Sequence, residues 1–469
     1  MQWDKDDCAD LGIIKVDLLG LGMLNALEEA VPLIQTHEGK NIDYAHIPPD
    51  DPEVFDLLRR ADTVGIVQVE SRAQMASLPR NRPERFYDLV IQVAIIRPGP
   101  IVGGMVHPFF ERRQGREPVT YLHPSLEPIL KRTLGVPLFQ EQLLRLAMVA
   151  AGFTGGEAEE LRRAMGFKRS MDKMVTIEQK LRDGMAERGI TGEAQDQIVQ
   201  SITSFALYGF PESHAASFAL IAYASAYLKT HHPTAFYVAL LNAWPMGFYH
   251  PSTLIQDAKR RGVEVLPIDV TVSRWRCTWE ATAEPDAPDA PDTPRPRRSD
   301  YLVDRRTERP RNSQPPPRAA GAVRLGLRYV KGLRREVGED LVRERERRPF
   351  TDLDDLGLRC QIDDAQLKRL AFAGAFAGLG LRRREALWQA ARVGRDAGPL
   401  FAGDRGDSGA SPLPEMAPLE HTVADFQATG LTAGHHPMAY ARAELRRQGV
   451  VTCAELEQLP QRRVVRFAG

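Results

Sequence analysis

The chain has 469 residues, of which 43% are hydrophobic and 26% charged, and its 62 basic and 62 acidic side chains cancel. That length holds roughly three or more domains, each able to bury a core, and the composition is that of a soluble globular protein. The zero balance excludes a uniformly basic binder of nucleic acid, so any DNA-facing surface must come from local segregation of charge. Cys8, Cys277, Cys360 and Cys453 lack metal-ligand spacing and read as reduced thiols. No basic-then-apolar leader opens the chain, and its longest apolar run, Ala215 to Leu228, is too short to cross a bilayer. The expectation is a cytoplasmic protein with no membrane partner.

Residues 1–48 predict one strand and one helix. In Ile13-Ile14-Lys15-Val16-Asp17-Leu18 alternate residues share a face, which sets Lys15 and Asp17 together, opposite Ile14, Val16 and Leu18. An acid and a base on one side of a buried strand, just before Gly20 and Gly22, suit a metal ion and a phosphate; a structural ion pair suits the pattern equally well. Leu24, Leu27, Val31 and Ile34 then mark a helical face that ends at Gly39. One strand and one helix make no core of their own, so this segment is expected to pack on a part of the protein that precedes Met1.

Residues 49–280 read as mostly helical. Thr154-Gly155-Gly156-Glu157 has capping-box spacing and predicts a helix running to Met165. The preceding helix, Glu141 to Ala151, is expected to stop at Gly152, a residue suited to the left-handed cap. Ser213 is placed as the cap of a long helix that ends before Pro233. Residues 281–322, rich in proline, aspartate and arginine, are expected to form a disordered linker or insertion. Residues 323–393 regain pattern, with Leu327 to Leu333, a charged helix, Leu367 to Gly380 and another helix. Residues 394–418 read as a second loose linker, and residues 419–469 as a helical connector closed by a strand at Val464 to Gly469.

Several separated stretches recur together in one family. They are the Lys15–Gly22 segment, Asp62-Thr63-Val64-Gly65-Ile66-Val67-Gln68-Val69-Glu70-Ser71, Ile96-Arg97-Pro98-Gly99-Pro100, Phe139-Gln140-Glu141-Gln142, Leu161-Arg162-Arg163-Ala164-Met165-Gly166 and Tyr208-Gly209-Phe210-Pro211-Glu212-Ser213-His214. Their order resembles the C-family bacterial DNA polymerases, relatives of the polymerase III alpha subunit, and Leu240 to Leu254 resembles the error-prone branch. The resemblance implies a multidomain, mainly α (α+β) protein. Residues 1–48 would be the C-terminal part of a palm, 49–280 the fingers, and 323–393 a tandem helix-hairpin-helix region. The end of 419–469 would be the first strand of an OB-fold.

The resemblance also implies roles. Polymerisation is phosphoryl transfer assisted by two divalent ions, and Asp17 matches the third of three metal-binding palm aspartates. No Asp-x-Asp on a strand precedes it, since Asp4, Asp6, Asp7 and Asp10 lie in a polar lead-in that the family places just before the third aspartate, so the piece is expected to be inactive alone. Lys15, Arg97, Arg162, Arg163, Lys168, Ser213 and His214 are expected to meet the incoming nucleotide. Lys331, Gly332, Arg334 and Arg335 are expected to hold DNA phosphate at a hairpin. Each has a plainer alternative: a fold-stabilising ion pair for Arg97, helix C-terminal cations for the arginine pair, packing for His214 and a solvated charged face for the hairpin. The doubled histidines His231-His232 and His435-His436 precede prolines without partner ligands and read as helix-end or loop residues. The implied cofactor is magnesium, two ions. The implied partners are template-primer DNA, deoxynucleoside triphosphates, a sliding clamp and damage-response accessory proteins. The alternatives are a non-catalytic DNA- and nucleotide-binding fragment, or a replicative alpha subunit.

Overall fold

A computed structural model describes residues 5–14, 20–97, 106–166, 171–206, 210–247, 249–281, 321–393, 411–456, 458–460 and 463–468. The chain divides into two compact units, one formed by residues 1–24 and 42–231 and the other by residues 25–41 and 232–469. Helices dominate both, and among the described residues one sheet of three short strands forms.

The first unit is helical. Its longest helix, Glu212–His231, buries Ala215, Phe218, Ala219, Ala222, Tyr223, Ala226 and Leu228. It packs on the Phe86–Ile95 and Pro52–Arg59 helices, themselves almost wholly apolar on their inner faces. It stops at His231 because the residue before Pro233 disfavours helix. Lys229, fully buried on this helix, reaches Asp62 at 3.2 Å and the Val64 carbonyl at 2.9 Å, tying down the Asp62–Ser71 segment. In that segment Thr63 donates to the Val69 carbonyl at 2.7 Å, and Ser71 caps the Arg72–Asn81 helix.

A second helical group in this unit comprises Gln140–Ala151, Gly155–Gly166, Met171–Glu187 and Glu193–Ala206. Gly152 closes the first of these at φ 71°, the left-handed conformation expected of it. The capping box forms as well: the Thr154 amide donates to Glu157 at 2.7 Å, and the Glu157 amide to Thr154 Oγ1 at 3.4 Å. Gly184 brings two helices into close approach, since a Cβ there would lie 2.1 Å from the Ala151 carbonyl oxygen.

In the second unit the strands β1 (Glu264–Leu266), β2 (Thr278–Glu280) and β3 (Ala322–Arg324) run in the order β1-β3-β2. β3 pairs parallel with β1 and antiparallel with β2, Glu280 facing Ala322. Residues 282–320, most of the expected linker, lie outside the described residues. The strands that flank them belong to one sheet, so the segment interrupts a folded unit instead of separating two. The helices Pro233–Ala243 and Pro251–Arg260 pack on the sheet, and the same unit holds the helices Arg335–Arg347, Leu353–Cys360, Asp364–Phe372, Arg383–Val393 and Pro418–Ala428.

Four local expectations are corrected. Ile13 and Ile14 adopt irregular backbone, and Ile14 is 86% exposed; no strand among the described residues pairs with them, and an unpaired strand has nothing to hold it. The Leu21–Glu38 helix buries Met23, Ala26, Leu27, Ala30 and Ile34, while Leu24 is exposed: small alanines, not the expected leucine, complete the inner face. Ser213 sits inside the first turn of the long helix, whose first amide is taken by Glu141 Oε2 at 2.9 Å. Finally, Val464 to Phe467 form no strand, and only a single bridge joins Phe467 to Val451.

Candidate functional site

The first unit gathers residues from distant motifs around one aromatic row. Phe210, His214 and Phe218 stack edge-on, with ring centres 5.0 and 4.7 Å apart. Residues 214 and 218 lie four apart on the long helix, which puts them on one face. Arg97 lays its guanidinium over the Phe210 ring at 4.1 Å, a cation–π contact, and its Nε donates to the Val93 carbonyl at 3.5 Å. Burial lowers its pKa from the ordinary value, yet a guanidinium stays charged. Among the described residues Arg97 has no carboxylate partner. Gly20 lies at the other end of the row, where a Cβ would meet Phe218 Cε1 at 3.7 Å.

Residues named only as parts of motifs, together with Tyr87 and Arg132, which the sequence did not mark, fix this row. The Gln140 amide donates to the Phe210 carbonyl at 3.1 Å, and Glu141 takes the Glu212 amide. Tyr87 donates to Glu212 Oε1 at 2.6 Å, and the Arg132 guanidinium covers the Tyr87 ring at 3.8 Å. Burial, reinforced by Glu212, raises the Tyr87 pKa and keeps the hydroxyl a donor. Two quoted motifs, Phe139–Gln142 and Phe210–His214, thus meet through backbone and carboxylate. A carboxylate at a helix N-terminus serves its dipole and orphan amides together.

Asp17, Lys15 and Lys168 lie outside the described residues. Arg162 and Arg163 are placed on the Gly155–Gly166 helix, close to its C-terminal end, but their side chains lie outside what is described. Among the described residues no group of three His, Cys, Asp or Glu side chains is arranged to hold a metal ion. Asp17, the carboxylate expected there, lies outside the described residues, so the described residues alone supply no two-magnesium site. No helix among the described residues is long and apolar enough to cross a membrane.

His231 meets Asp51 at 3.1 Å, His232 meets Glu38 at 2.8 Å, and His436 caps the Pro437–Arg447 helix.

The expected DNA contacts fall in the second unit. Gly332 turns the chain at φ 74°. Arg334 pairs with Asp363 at 3.1 Å and Arg335 with Glu339 at 2.7 Å, with all four side chains largely exposed. Exposed pairs of this kind are worth little, so both arginines can exchange a carboxylate for a phosphate. Lys331 Nζ instead donates to the Phe426 carbonyl at 2.9 Å. The second hairpin turns near Gly378, which packs against Asp269 and Thr271 so closely that a Cβ would lie 2.3 Å from Thr271 Oγ1.

Comparison with known proteins accords with these elements. Residues 23–189 match the family described as bacterial DNA polymerase III alpha subunit finger domain, and residues 262–386 match the helix-hairpin-helix motif. A protein of Anaeromyxobacter dehalogenans (strain 2CP-C) named error-prone DNA polymerase is 48% identical over 480 residues, covering 100% of this chain and 40% of the relative. Proteins of the same name from Methylococcus capsulatus and Aromatoleum aromaticum are 48% and 47% identical, each again across 100% of this chain and 43% of the relative. The chain thus spans well under half the length of these relatives. It belongs to the C family of bacterial DNA polymerases, the relatives of the polymerase III alpha subunit, and resembles the error-prone branch along its whole length.

Proposed function

We propose that the chain is the fingers and hairpin portion of an error-prone, damage-tolerant DNA-directed DNA polymerase. Such an enzyme transfers a deoxynucleoside monophosphate to a primer 3′-hydroxyl and releases pyrophosphate. The observation that carries this reading is the aromatic row of Phe210, His214 and Phe218, with Arg97 stacked on it and no carboxylate partner for that cation among the described residues. A half-buried cation on a rigid aromatic face suits a nucleotide, whose phosphate attracts the guanidinium and whose sugar and base need an apolar wall. On this reading Arg97, Arg162, Arg163, Lys168 and Lys15 meet the triphosphate, and Ser213 and His214 border the nascent pair. Asp17 supplies one carboxylate of a metal set whose other members come from the palm. Residues 1–48 complete that palm, and residues 463–468 lead into an OB-fold. Arg334 and Arg335 hold the backbone of template-primer DNA. A sliding clamp and damage-response proteins are the expected partners, in the bacterial cytoplasm.

The test is a chimera in which this chain replaces the corresponding stretch of the Methylococcus capsulatus relative. Primer extension is expected. Changing Arg162 and Arg163 together to alanine should raise the nucleotide concentration needed for half-maximal rate far more than it weakens DNA binding, because each charge-assisted phosphate contact is worth roughly 1.5–3 kcal/mol. Loss of DNA affinity at unchanged nucleotide dependence would make them template-primer contacts.

A second reading, a non-catalytic DNA- and nucleotide-binding piece, draws on the lack of a metal-holding cluster among the described residues. A chimera that binds nucleotide and DNA but never extends would favour it.

A further inference from the structure

Lys331, next to the left-handed turn at Gly332, turns its backbone N–H and one N–H of its ammonium to one helix end. Its backbone N–H donates to the Ala428 carbonyl at 2.9 Å, and its ammonium donates to the Phe426 carbonyl at 2.9 Å. Both acceptors belong to the last turn of the Pro418–Ala428 helix, the negative end of its dipole, and the Phe426 carbonyl also accepts from the Gly430 N–H at 3.0 Å. Arg369 leans over Gly332 and donates to the Lys331 carbonyl at 3.3 Å. Lys331, Arg369, Phe372, Gln427 and Ala428 line a cavity of about 130 Å³. Among the described residues neither cation has a carboxylate partner, whereas the nearby Arg334, Arg335, Lys368 and Arg383 all do. From its other side the helix is anchored by Asp425, which accepts from Arg383 at 2.5 Å and from Thr432 at 2.7 Å.

An amide and a cation beside a glycine turn are what a hairpin offers a phosphate. Here the amide is spent on one carbonyl oxygen, and the ammonium is drawn to a second on the same helix end. We propose that Lys331 is a latch that holds either the end of the Pro418–Ala428 helix or a DNA phosphate, and not both. The docked helix withholds the first hairpin from DNA and leaves the backbone to Arg334 and Arg335; its release hands Lys331 to the duplex. The inference rests on the reading that the hairpin region holds DNA.

The test uses the full chain and a short duplex, with affinity followed across a range of salt. Lys331→Ala is expected to lower the melting temperature and speed amide exchange across residues 418–428, with DNA affinity kept within about twofold. Asp425→Ala, which loosens the helix, should tighten DNA binding and steepen the salt dependence by about one unit of slope. Both gains should vanish in the Asp425→Ala, Lys331→Ala double variant. Asp425→Asn, a milder change, serves if the alanine disturbs the fold. Weaker binding with a shallower salt slope in Lys331→Ala alone would overturn the latch, because the lysine would already be on DNA. An unchanged slope in an Asp425 variant whose exchange shows residues 418–428 released would overturn it too. The underlying reading is judged separately: if changing Arg334 and Arg335 together to alanine leaves DNA binding intact, those arginines do not hold the duplex, whatever the Asp425 variants do.

Discussion

Glu157 shows how one side chain sets a local boundary. Its carboxylate is held by Lys180 at 2.5 Å and by the amide and hydroxyl of Thr154, which together bring its pKa from the ordinary 4.5 down to about 2. A depressed folded-state value means that the cap contributes fully above 4.5 and fades as pH falls toward about 2. Protection of the first-turn amides of Gly155–Gly166, taken relative to intrinsic exchange at each pH, should therefore fall from about pH 5 toward about pH 2, and Glu157→Gln should flatten that dependence. An equal fall in both proteins would show that the carboxylate does not hold this turn. This cap was legible because its four-residue spacing is local. The Glu141 cap of the long helix was not, since Glu141 and Glu212 meet only in three dimensions and Ser213 offered a nearer candidate. A third kind of cap escaped notice although it is local. His123, His250 and His436 each precede a proline and accept an amide two residues on through Nδ1, a role usually read from Ser, Thr, Asp or Asn.

Among elements, close approach and interruption decide most. The Met171–Glu187 and Gln140–Ala151 helices touch where Gly184 has no side chain, so Gly184→Ala must push a Cβ into the Ala151 carbonyl. A loss of about 1–3 kcal/mol in denaturant melts is expected; no loss would mean that the helices part freely. The segment between β2 and β3 makes the opposite prediction. Its ends are already paired, Glu280 to Ala322, so replacing residues 282–320 with a short turn shortens the loop roughly tenfold and lowers its closure cost by about 2 kcal/mol. Stability should hold or rise, whereas a drop in melting temperature would show that the segment packs. Composition marked this insertion at once, but not that one sheet spans it: strands of three residues carry too little alternation to be read. Similarly, the apolar Ile13–Leu18 pattern predicts a strand, and Ile13 and Ile14 lie in irregular backbone, because a strand depends on a neighbour that pattern alone cannot supply.

For the whole molecule, family membership and mainly helical character were legible from ordered motifs spread over hundreds of residues. The grouping of Arg97, Phe210, His214 and Phe218 needed the fold to bring its parts together. On the proposed function the chain serves a polymerase in which Asp17 is a metal-site carboxylate. The most direct test is primer extension by the Methylococcus capsulatus chimera carrying Asp17→Asn, with the melting temperature measured alongside. The account predicts that extension is abolished, because the amide cannot supply the carboxylate's charge to a divalent ion, while the melting temperature barely changes. A chimera that extends primers equally well with Asp17→Asn would contradict it.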